Sequence, residues 1–451
     1  MMRGPAAASA REQHRRFIVL MVQCIFVLLL LEGVLRKWAL SGIEQPLIFI
    51  RDPFMIAAIV AYFAYRGDRL SPLATGFLLT ALMLFVLALL QAASGTASLS
   101  MILGFRFYLL FVPLLFIVPE TFHAADIRRL FVLCLLAAIP VGLLVIAQFH
   151  SPVSSPLNKG LDDAVAGRFT VTAGVVRPYG PFTFALGQAT YAAFSLAVLL
   201  IATVARSLGP RSRMFLFAAG AMVMAMGALS GSRSYFVPAA IIAGCMLAAT
   251  LLTGMRTGRY RAFLSALVLI GAFLLVFIVV FPDAFATMTQ RQETASASEG
   301  TILNRMWAIV AAFGPYLDDA PLLGLGIGAG TNAGSFLATG ERTFLLAESE
   351  WARHVLELGP LLGLVVIALR ILLCLYLLRV ALRAALAGHA PSLIMFGFCG
   401  PLILTAQITG NNLMTVLPWL ASGLVLALER QHRFVAQAAR AKLTMRLAPA
   451  V

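Results

Sequence analysis

The sequence predicts an all-α polytopic integral membrane protein. Of its 451 residues, 61% are hydrophobic and only 12% are charged, whereas a soluble domain carries about 25% charged residues. Apolar runs of about 20 residues, the length at which a helix crosses a bilayer core, recur along the whole chain. The alternating segments of a membrane barrel do not occur, so helices are left to satisfy the backbone groups in lipid. A soluble domain and a disordered chain are both excluded.

Twelve apolar runs are predicted to be transmembrane helices. They cover 17–35, 47–65, 73–91, 101–119, 130–149, 183–205, 214–230, 234–253, 262–281, 358–378, 391–410 and 412–428. Totals of eleven to fourteen spans remain as alternatives.

The basic residues predict the orientation of these helices. With the N-terminus in the cytoplasm, 21 of the 34 Lys and Arg residues fall in inner segments and 11 in outer segments. Cytoplasmic loops of membrane proteins carry such an excess of Lys and Arg. We therefore expect both termini in the cytoplasm. The net charge of +15 then reflects membrane orientation and gives no reason to expect a nucleic acid partner.

This orientation divides the chain into five regions. They are a basic cytoplasmic tail (1–16), helices 1–9 (17–281) with an outer loop at 150–182, a large outer loop (282–357), helices 10–12 (358–428) and a second basic tail (429–451). Because long loops are usually functional, we expect the chemistry of this protein on the outer side.

The large outer loop is predicted to contain structure of its own. Apolar residues recur at helical spacing over Thr301–Leu317, which predicts an amphipathic helix at the membrane surface. Leu345–Leu358 is a second short helical segment. Between them, alternate glycines at 324–330 permit a tight turn, and the absence of a strand before them argues against a dinucleotide-binding loop.

Five arginines of the outer side are candidates for binding a diphosphate. They are Arg106, Arg177, Arg233, Arg305 and Arg353. Arg233 lies in a very short turn between two spans, and Arg177 precedes a stiff Pro-Tyr-Gly-Pro turn. Guanidinium groups bind phosphate oxygens in pairs without needing a metal. The alternative for each is a side chain that snorkels to the interface, and we expect that role for Arg36, Lys37 and Arg370.

A charged segment just before the tenth span predicts a general base. Glu348, Glu350 and His354 lie beside Trp351, which places them at the membrane interface. A carboxylate or imidazole in such a place suits proton abstraction; a solvated charged cap is the alternative. No metal-site spacing occurs in the outer segments, so no metal and no cofactor are expected.

Four motifs resemble those of the O-antigen ligase and polysaccharide polymerase superfamily of bacterial inner membranes. They are the arginine loop and span entry at 177–187, the Ser-Gly-Ser-Arg turn at 230–233, the glycine run at 324–330, and the Glu-x-Gly-x-x-x-Gly sequence at 357–363. They occur in the family's order. A plan of about twelve helices with one large periplasmic loop, GT-C-like, also fits.

The resemblance implies a metal-independent glycosyltransferase at the periplasmic face of the bacterial inner membrane. It implies an undecaprenyl-diphosphate-linked oligosaccharide as donor, with Arg177 and Arg233 on the diphosphate. A carboxylate or His354 would deprotonate the acceptor, with inversion at the anomeric carbon. Membrane lipid and proteins of polysaccharide export and chain-length control are the implied partners.

Two departures from the family favour a polymerase, or a divergent member from an exopolysaccharide cluster, over a typical O-antigen ligase. Glu348-Ser349 stands where family ligases have His-Asn, and the asparagine of the earlier span entry is replaced around Gln188. Two other classes stay open. One is a transporter or flippase of lipid-linked sugars, and the other is a non-catalytic scaffold of a polysaccharide assembly complex.

Overall fold

In the computed structural model, every regular element among the described residues is a helix. The structure describes residues 5–44, 46–67, 70–95, 100–161, 176–204, 210–231, 233–258, 260–280, 311–331, 334, 346–347, 349–409 and 414–447. The α-helices are α1 (Pro5–Val34), α2 (Asp52–Arg66), α3 (Pro72–Ala93), α4 (Ser100–Phe105), α5 (Leu114–Thr121), α6 (Ala124–Phe149), α7 (Ala185–Val204), α8 (Pro210–Leu229), α9 (Arg233–Thr257), α10 (Arg261–Val280), α11 (Tyr316–Asp319), α12 (Glu350–Leu386), α13 (Pro391–Thr405) and α14 (Leu417–Leu447).

Nine helical segments of the described chain are long and apolar enough to cross a membrane. Each of the nine coincides with one of the predicted runs, from Ser9–Ala39 near the N-terminus to Glu350–Leu386. Shorter apolar helical stretches lie at Arg261–Ala272, within α10, and at Pro391–Thr405, which is α13. The prediction of an all-α polytopic membrane protein is confirmed at this level.

The last two predicted spans have different bounds in the structure. α13 ends at Thr405, short of its predicted end, while α14 begins at Leu417 and continues to Leu447. Pro418 occupies the first turn of α14, where its missing N–H costs nothing. The predicted tail at 429–451 is largely helical because Ala, Arg, Gln and Lys, which are good helix formers, dominate it.

α7 lies at the centre of the helix bundle and packs against α6, α8, α9 and α13. Its Phe194 is fully buried, and the ring contacts Phe26 of α1 and Phe398 of α13 at centroid distances of 6.1 and 5.3 Å. α3 lies at the periphery and leaves Leu79 and Leu82 exposed. Exposed leucines of this kind suit a surface that faces lipid tails.

Two of the helical segments are interrupted within their length. The span Ser100–Thr121 consists of α4, a π-helical turn at Arg106–Leu110 and α5. α12 bends sharply at Gly359, whose φ of 81° lies outside the helical region. Such π-helical turns frequently mark functional sites.

The large predicted outer loop is described only in part. Residues 301–310 of the predicted amphipathic helix Thr301–Leu317 lie outside the described residues, and the short helix α11 follows at Tyr316–Asp319. The second predicted segment, Leu345–Leu358, is helical from Glu350 onwards.

Candidate functional site

The bend at Gly359 folds the first two turns of α12 back along the turns that follow. We call the part of α12 before Gly359 the first arm and the part after it the second arm. A Cβ at Gly363 would lie 2.7 Å from the Cα of Val355, which shows how closely the two arms approach. Gly359 itself has a left-handed φ, and a Cβ there would lie 2.1 Å from the Leu322 carbonyl oxygen. Only glycine fits a corner with both constraints. The fold-back brings charged residues of the first arm to Arg370 on the second.

The resulting group of buried polar side chains is here called the α12 cluster. It consists of Tyr108, Glu350, Arg353, His354, Glu357 and Arg370, each at most 7% exposed. Two carboxylates face two guanidinium groups, so the cluster is electrically balanced when the imidazole is neutral. Desolvated charges of this kind persist only when they are paired and hydrogen-bonded.

Glu350 holds together the two arms of α12 and the segment that follows α13. Its Oε1 accepts hydrogen bonds from Arg370 Nη1 at 3.1 Å and from the backbone N–H and hydroxyl of Thr409, both at 2.9 Å. Its Oε2 accepts a hydrogen bond from Arg353 Nη2. All of these partners are donors, which fits an ionised carboxylate.

Glu357 is bound by the glycine run. The backbone N–H groups of Gly330 and Gly328 donate to its carboxylate at 2.8 and 3.2 Å, and the Tyr108 hydroxyl donates at 2.9 Å. Arg353 Nε lies 3.9 Å from the same carboxylate. The glycine run and the Glu357 motif, which are separate in sequence, therefore form one structure.

The glycine run is shaped to approach α12 at backbone distance. Gly324 has a φ of 74°, and a Cβ at this residue would lie 2.3 Å from the Glu357 carbonyl oxygen. Gln91 of α3 fixes the run from the other side: its side-chain amide donates to the Leu323 and Glu357 carbonyls and accepts from the Ile327 N–H. These contacts aim the N–H groups of the run at Glu357.

His354 lies between Tyr108 and Arg370. Its Nε2 is 2.9 Å from Arg370 Nη1, and its Nδ1 is 2.8 Å from the Tyr108 hydroxyl. Arg370 also donates to the carbonyls of Ile403 and Ala406 at 2.7 and 2.8 Å. The imidazole is fully buried and its two ring nitrogens are both engaged.

Arg353 is the member of the α12 cluster with spare donors. Its Nη2 donates to Glu350 and to the Thr409 hydroxyl at 2.7 Å. Nε and Nη1 are buried and have no hydrogen-bond acceptor among the described residues. A buried donor without an acceptor costs about 1–3 kcal/mol, so an oxygen ligand at this position would be stabilising.

Two of the other predicted diphosphate arginines, Arg106 and Arg177, contact residues outside the α12 cluster. Arg106 is held by Asp52 through two hydrogen bonds, of 2.6 and 3.0 Å. Arg177 Nε lies 3.4 Å from the carbonyl of Ser230, in the turn that precedes Arg233. Arg233 begins α9, and nothing is described of its side chain.

The remaining predicted site residues divide into two groups. Glu350, Arg353 and His354 lie together in the α12 cluster. Glu348 and Arg305 lie outside the described residues.

The prediction that Arg36, Lys37 and Arg370 snorkel to the interface is wrong. All three are at most 5% exposed. Arg36 pairs with Glu32 at 3.1 Å, and Lys37 donates to the Gly180 carbonyl at 2.8 Å. These side chains hold protein segments together. Arg36 and Lys37 lie at a helix end that other parts of the chain cover, whereas Arg370 lies within α12 and donates to the carbonyls of Ile403 and Ala406.

Sequence reasoning also missed Tyr108, Thr409 and the role of Glu357. Glu357 was recognised only as a motif position, although its glycine-run partners were visible in the same set of motifs. Tyr108 is separated from His354 by 246 positions, and no local pattern marks such a pair. Comparison of the chain with protein-family models, curated proteins and solved structures gave no match.

Proposed function

We propose that the protein is a metal-independent glycosyltransferase of surface polysaccharide synthesis. It polymerises, or ligates, undecaprenyl-diphosphate-linked glycan repeat units at the periplasmic face of the bacterial inner membrane. Twelve spans in a GT-C-like plan, with both termini in the cytoplasm, complete this proposal. Polymerisation is preferred over ligation because of the departures at Glu348-Ser349.

The observation that carries the proposal is the pairing of motifs that are distant in sequence. The glycine run donates two backbone hydrogen bonds to Glu357, and Arg177 contacts the turn at Ser230. The four family-like motifs thus form two pairs in contact. If the resemblance of these four short motifs arose by chance, there would be no reason to expect their residues to contact one another.

The arginines differ in how well they suit a diphosphate. Arg353 has buried donors without acceptors among the described residues, and Arg177 and the start of α9 at Arg233 come to the same turn. Arg106 is already engaged by Asp52. We therefore assign the leaving group to Arg177, Arg233 and Arg353, with Arg305 and Arg106 as secondary candidates.

The proposed reaction is a displacement at the anomeric carbon of the donor glycan. A base of the charged segment (Glu348, Glu350 or His354) takes the proton of the acceptor hydroxyl. The acceptor oxygen forms a bond to the anomeric carbon as the bond from that carbon to the diphosphate oxygen breaks. The diphosphate leaves with the electron pair, and fixed guanidinium groups stabilise the charge that develops on it.

Replacement of the proposed diphosphate arginines tests this function. We expect Arg177→Ala and Arg233→Ala to abolish polymer while the protein still inserts into the membrane at its normal level. Arg211→Ala is a matched control because Arg211 is an exposed arginine at the start of α8, outside the proposed site. Normal polymer length in both site variants would overturn the assigned roles.

A fusion of alkaline phosphatase within 282–350 tests the side of the membrane. Phosphatase activity is expected in the fusion, because this enzyme folds into an active form only outside the cytoplasm. An inactive fusion that is stable and membrane-inserted would contradict the periplasmic site.

A lipid-linked sugar transporter is a second candidate function. Buried ionisable residues beside a broken helix are typical of transporters, and the α12 cluster at Gly359 has both features. Accumulation of precursor on the inner leaflet in a deletion strain would favour this function over a transferase.

A further inference from the structure

We infer that Lys37 is a positioning residue of the proposed diphosphate site. It holds residues 177–181, here called the Arg177 segment, through Gly180 and brings a buried positive charge to that segment. This inference rests on the proposed glycosyltransferase function and adds a residue from the end of α1, far in sequence from the family-like motifs. A buried lysine whose partners in the described chain are all neutral carries it.

Lys37 occupies an unusual place for a lysine. It lies in the π-helical turn Leu35–Ala39 that follows α1, and it is 1% exposed. Lysines are almost never fully buried unless they are paired, and π-helical turns frequently mark functional sites. Both features call for a role beyond packing.

The ammonium group of Lys37 is bound by neutral groups. Its Nζ donates to the Gly180 carbonyl at 2.8 Å and lies 4.2 Å from the centre of the Trp38 ring. No ion pair joins it to a carboxylate of the described chain, whereas its neighbour Arg36 is paired with Glu32. A buried charge without a counter-charge is unfavourable, so an anion bound near Lys37 would be stabilising.

Gly180 connects Lys37 to the Arg177 segment. This glycine has a φ of 57°, which suits a tight turn three residues after Arg177. Gln148 at the end of α6 holds the same glycine: its side-chain oxygen accepts from the Gly180 N–H at 2.7 Å, and its amide donates to the Gly180 carbonyl at 3.2 Å. The Gly180 carbonyl is therefore shared by a neutral donor and a charged one.

The end of α1 lies directly against this segment. A Cβ at Gly33 would lie 2.1 Å from the Pro181 carbonyl oxygen, so the two backbones are in contact. At the start of the segment, Arg177 Nε lies 3.4 Å from the carbonyl of Ser230. The segment is thus fixed between α1 and the turn that precedes α9.

A diphosphate held by Arg177 would have the charge of Lys37 close by. Fixed positive charges in a poorly solvated place act on a developing negative charge more strongly than they do in water. The anion would in turn supply the counter-charge that Lys37 does not have in the described chain. Lys37 acts through the segment and through its charge, without being a catalytic residue.

Three variants separate the charge of Lys37 from its hydrogen bond. Lys37→Met removes both, Lys37→Gln keeps a donor without the charge, and Lys37→Arg keeps the charge. We expect Lys37→Gln to resemble Lys37→Met, and Lys37→Arg to resemble the wild type. Lys159→Met is the matched control, because Lys159 is a half-buried lysine just after the helical turn Pro156–Asn158, next to the Trp38 contact.

The melting temperature of the full-length protein in detergent, with increasing inorganic diphosphate, measures the effect of the charge. A ligand that binds the folded state raises the melting temperature with its concentration. We expect diphosphate to stabilise the wild type, and its apparent dissociation constant to rise about tenfold in Lys37→Met and Lys37→Gln, the effect of one partly screened charge. Lys37→Arg and Lys159→Met should bind as the wild type does.

The stability of the ligand-free protein distinguishes this role from a structural one. Lys37→Met removes a buried charge that has no counter-charge in the described chain, so we expect its ligand-free melting temperature to be no lower than that of the wild type. A lysine that only held the segment would show the opposite: lower stability and unchanged diphosphate affinity. That result, or a wild type that diphosphate does not stabilise, would overturn the inference.

The transferase and the role of Lys37 fail in different ways. An unchanged surface glycan in a deletion strain would overturn the transferase, and with it the use of this site in catalysis. An altered glycan in that strain, together with wild-type diphosphate affinity in Lys37→Met and Lys37→Gln, would retain the transferase and overturn the role of Lys37 alone.

Discussion

The α12 cluster and the ion-pair group that joins α1 to α6 use the same kinds of side chain with different results. In the second group, Arg15 of α1 donates to Asp126 of α6 at 2.7 Å, to Glu12 and to the Thr121 carbonyl. Asp126 also accepts from the His123 N–H and caps α6. The side chain of Glu12 is 41% exposed, whereas both carboxylates of the α12 cluster are fully buried.

The two groups differ in their roles: the group at Arg15 joins helices, and the α12 cluster is a candidate reaction site. Around Arg15, the side chains of Arg15 and Asp126 are buried while Glu12 is partly exposed, and the Arg15–Asp126 pair fixes α1 to α6. Around Arg353, charges are desolvated, spare donors remain, and an imidazole and a phenol are added. Ionisable residues at such depth are functional candidates by default.

Loss of a carboxylate is expected to have the largest effect on the free energy of unfolding, and that effect should differ between the two groups. Glu350→Gln leaves Arg353 and Arg370 buried without their counter-charge, so we expect the free energy of unfolding to fall by about 3–5 kcal/mol. Glu12→Gln removes a partly exposed partner, for which we expect less than about 1 kcal/mol. Denaturant unfolding of both variants in the same detergent measures the contrast, and equal losses would refute it.

A substitution at Gly359, in the bend of α12, is expected to cause the next largest loss of stability. Gly359→Ala adds a Cβ at 2.1 Å from the Leu322 carbonyl oxygen, in addition to the strain of a left-handed φ. Gly388→Ala is a matched control, because Gly388 has a φ of 89° and no atom within 4 Å of the added Cβ. We expect strain alone, about 1–2 kcal/mol, at Gly388 and a clearly larger loss at Gly359.

Melting temperatures in detergent compare these two glycine variants. If Gly359→Ala and Gly388→Ala lose the same stability, the close approach of the 322–330 segment to the corner of α12 is not supported.

A smaller effect on stability is expected at His389, in the connection between α12 and α13. His389, between α12 and α13, stacks on His432 of α14 at 4.7 Å between ring centroids, and burial together with that neighbour lowers the pKa of His389 to about 4 from 6.5. The unfolded state therefore binds the proton more readily, and stability should fall as pH decreases from about 6.5 towards 4.

His389→Gln should flatten that part of the pH dependence of the melting temperature. The exposed His150→Gln is the matched control and should leave the slope as in the wild type. An unchanged slope in His389→Gln would show that other groups carry the pH dependence.

The sequence was sufficient to predict apolar helices along the chain, but it did not predict which side chains contact one another between those helices. Apolar runs located the nine helices of the described chain that are long and apolar enough to cross a membrane, because hydrophobic length is a local property. The contact between the glycine run and Glu357 was not predicted, because the family-like motifs give the order of the segments along the chain and not which of them meet. The contacts of Arg370 depend on a bend at Gly359 that brings residues 16 and 20 positions apart together.

The errors at Arg36, Lys37 and Arg370 have a common physical cause. A basic residue in or beside an apolar helix is consistent both with snorkelling to water and with a buried partner. Which of the two occurs depends on the segment that packs against that residue, such as the turn at Gly180 over Lys37. Local hydropathy contains no information about that segment.

The most direct test of the account is a deletion strain of the native host whose surface glycan is resolved on a gel. The account predicts short chains of a single repeat, with long polymer restored by the wild-type gene and not by Arg233→Ala. Complete polymer left unattached would indicate a ligase. Precursor accumulated on the inner leaflet, or a glycan pattern identical to the parent strain, would contradict a periplasmic glycosyltransferase.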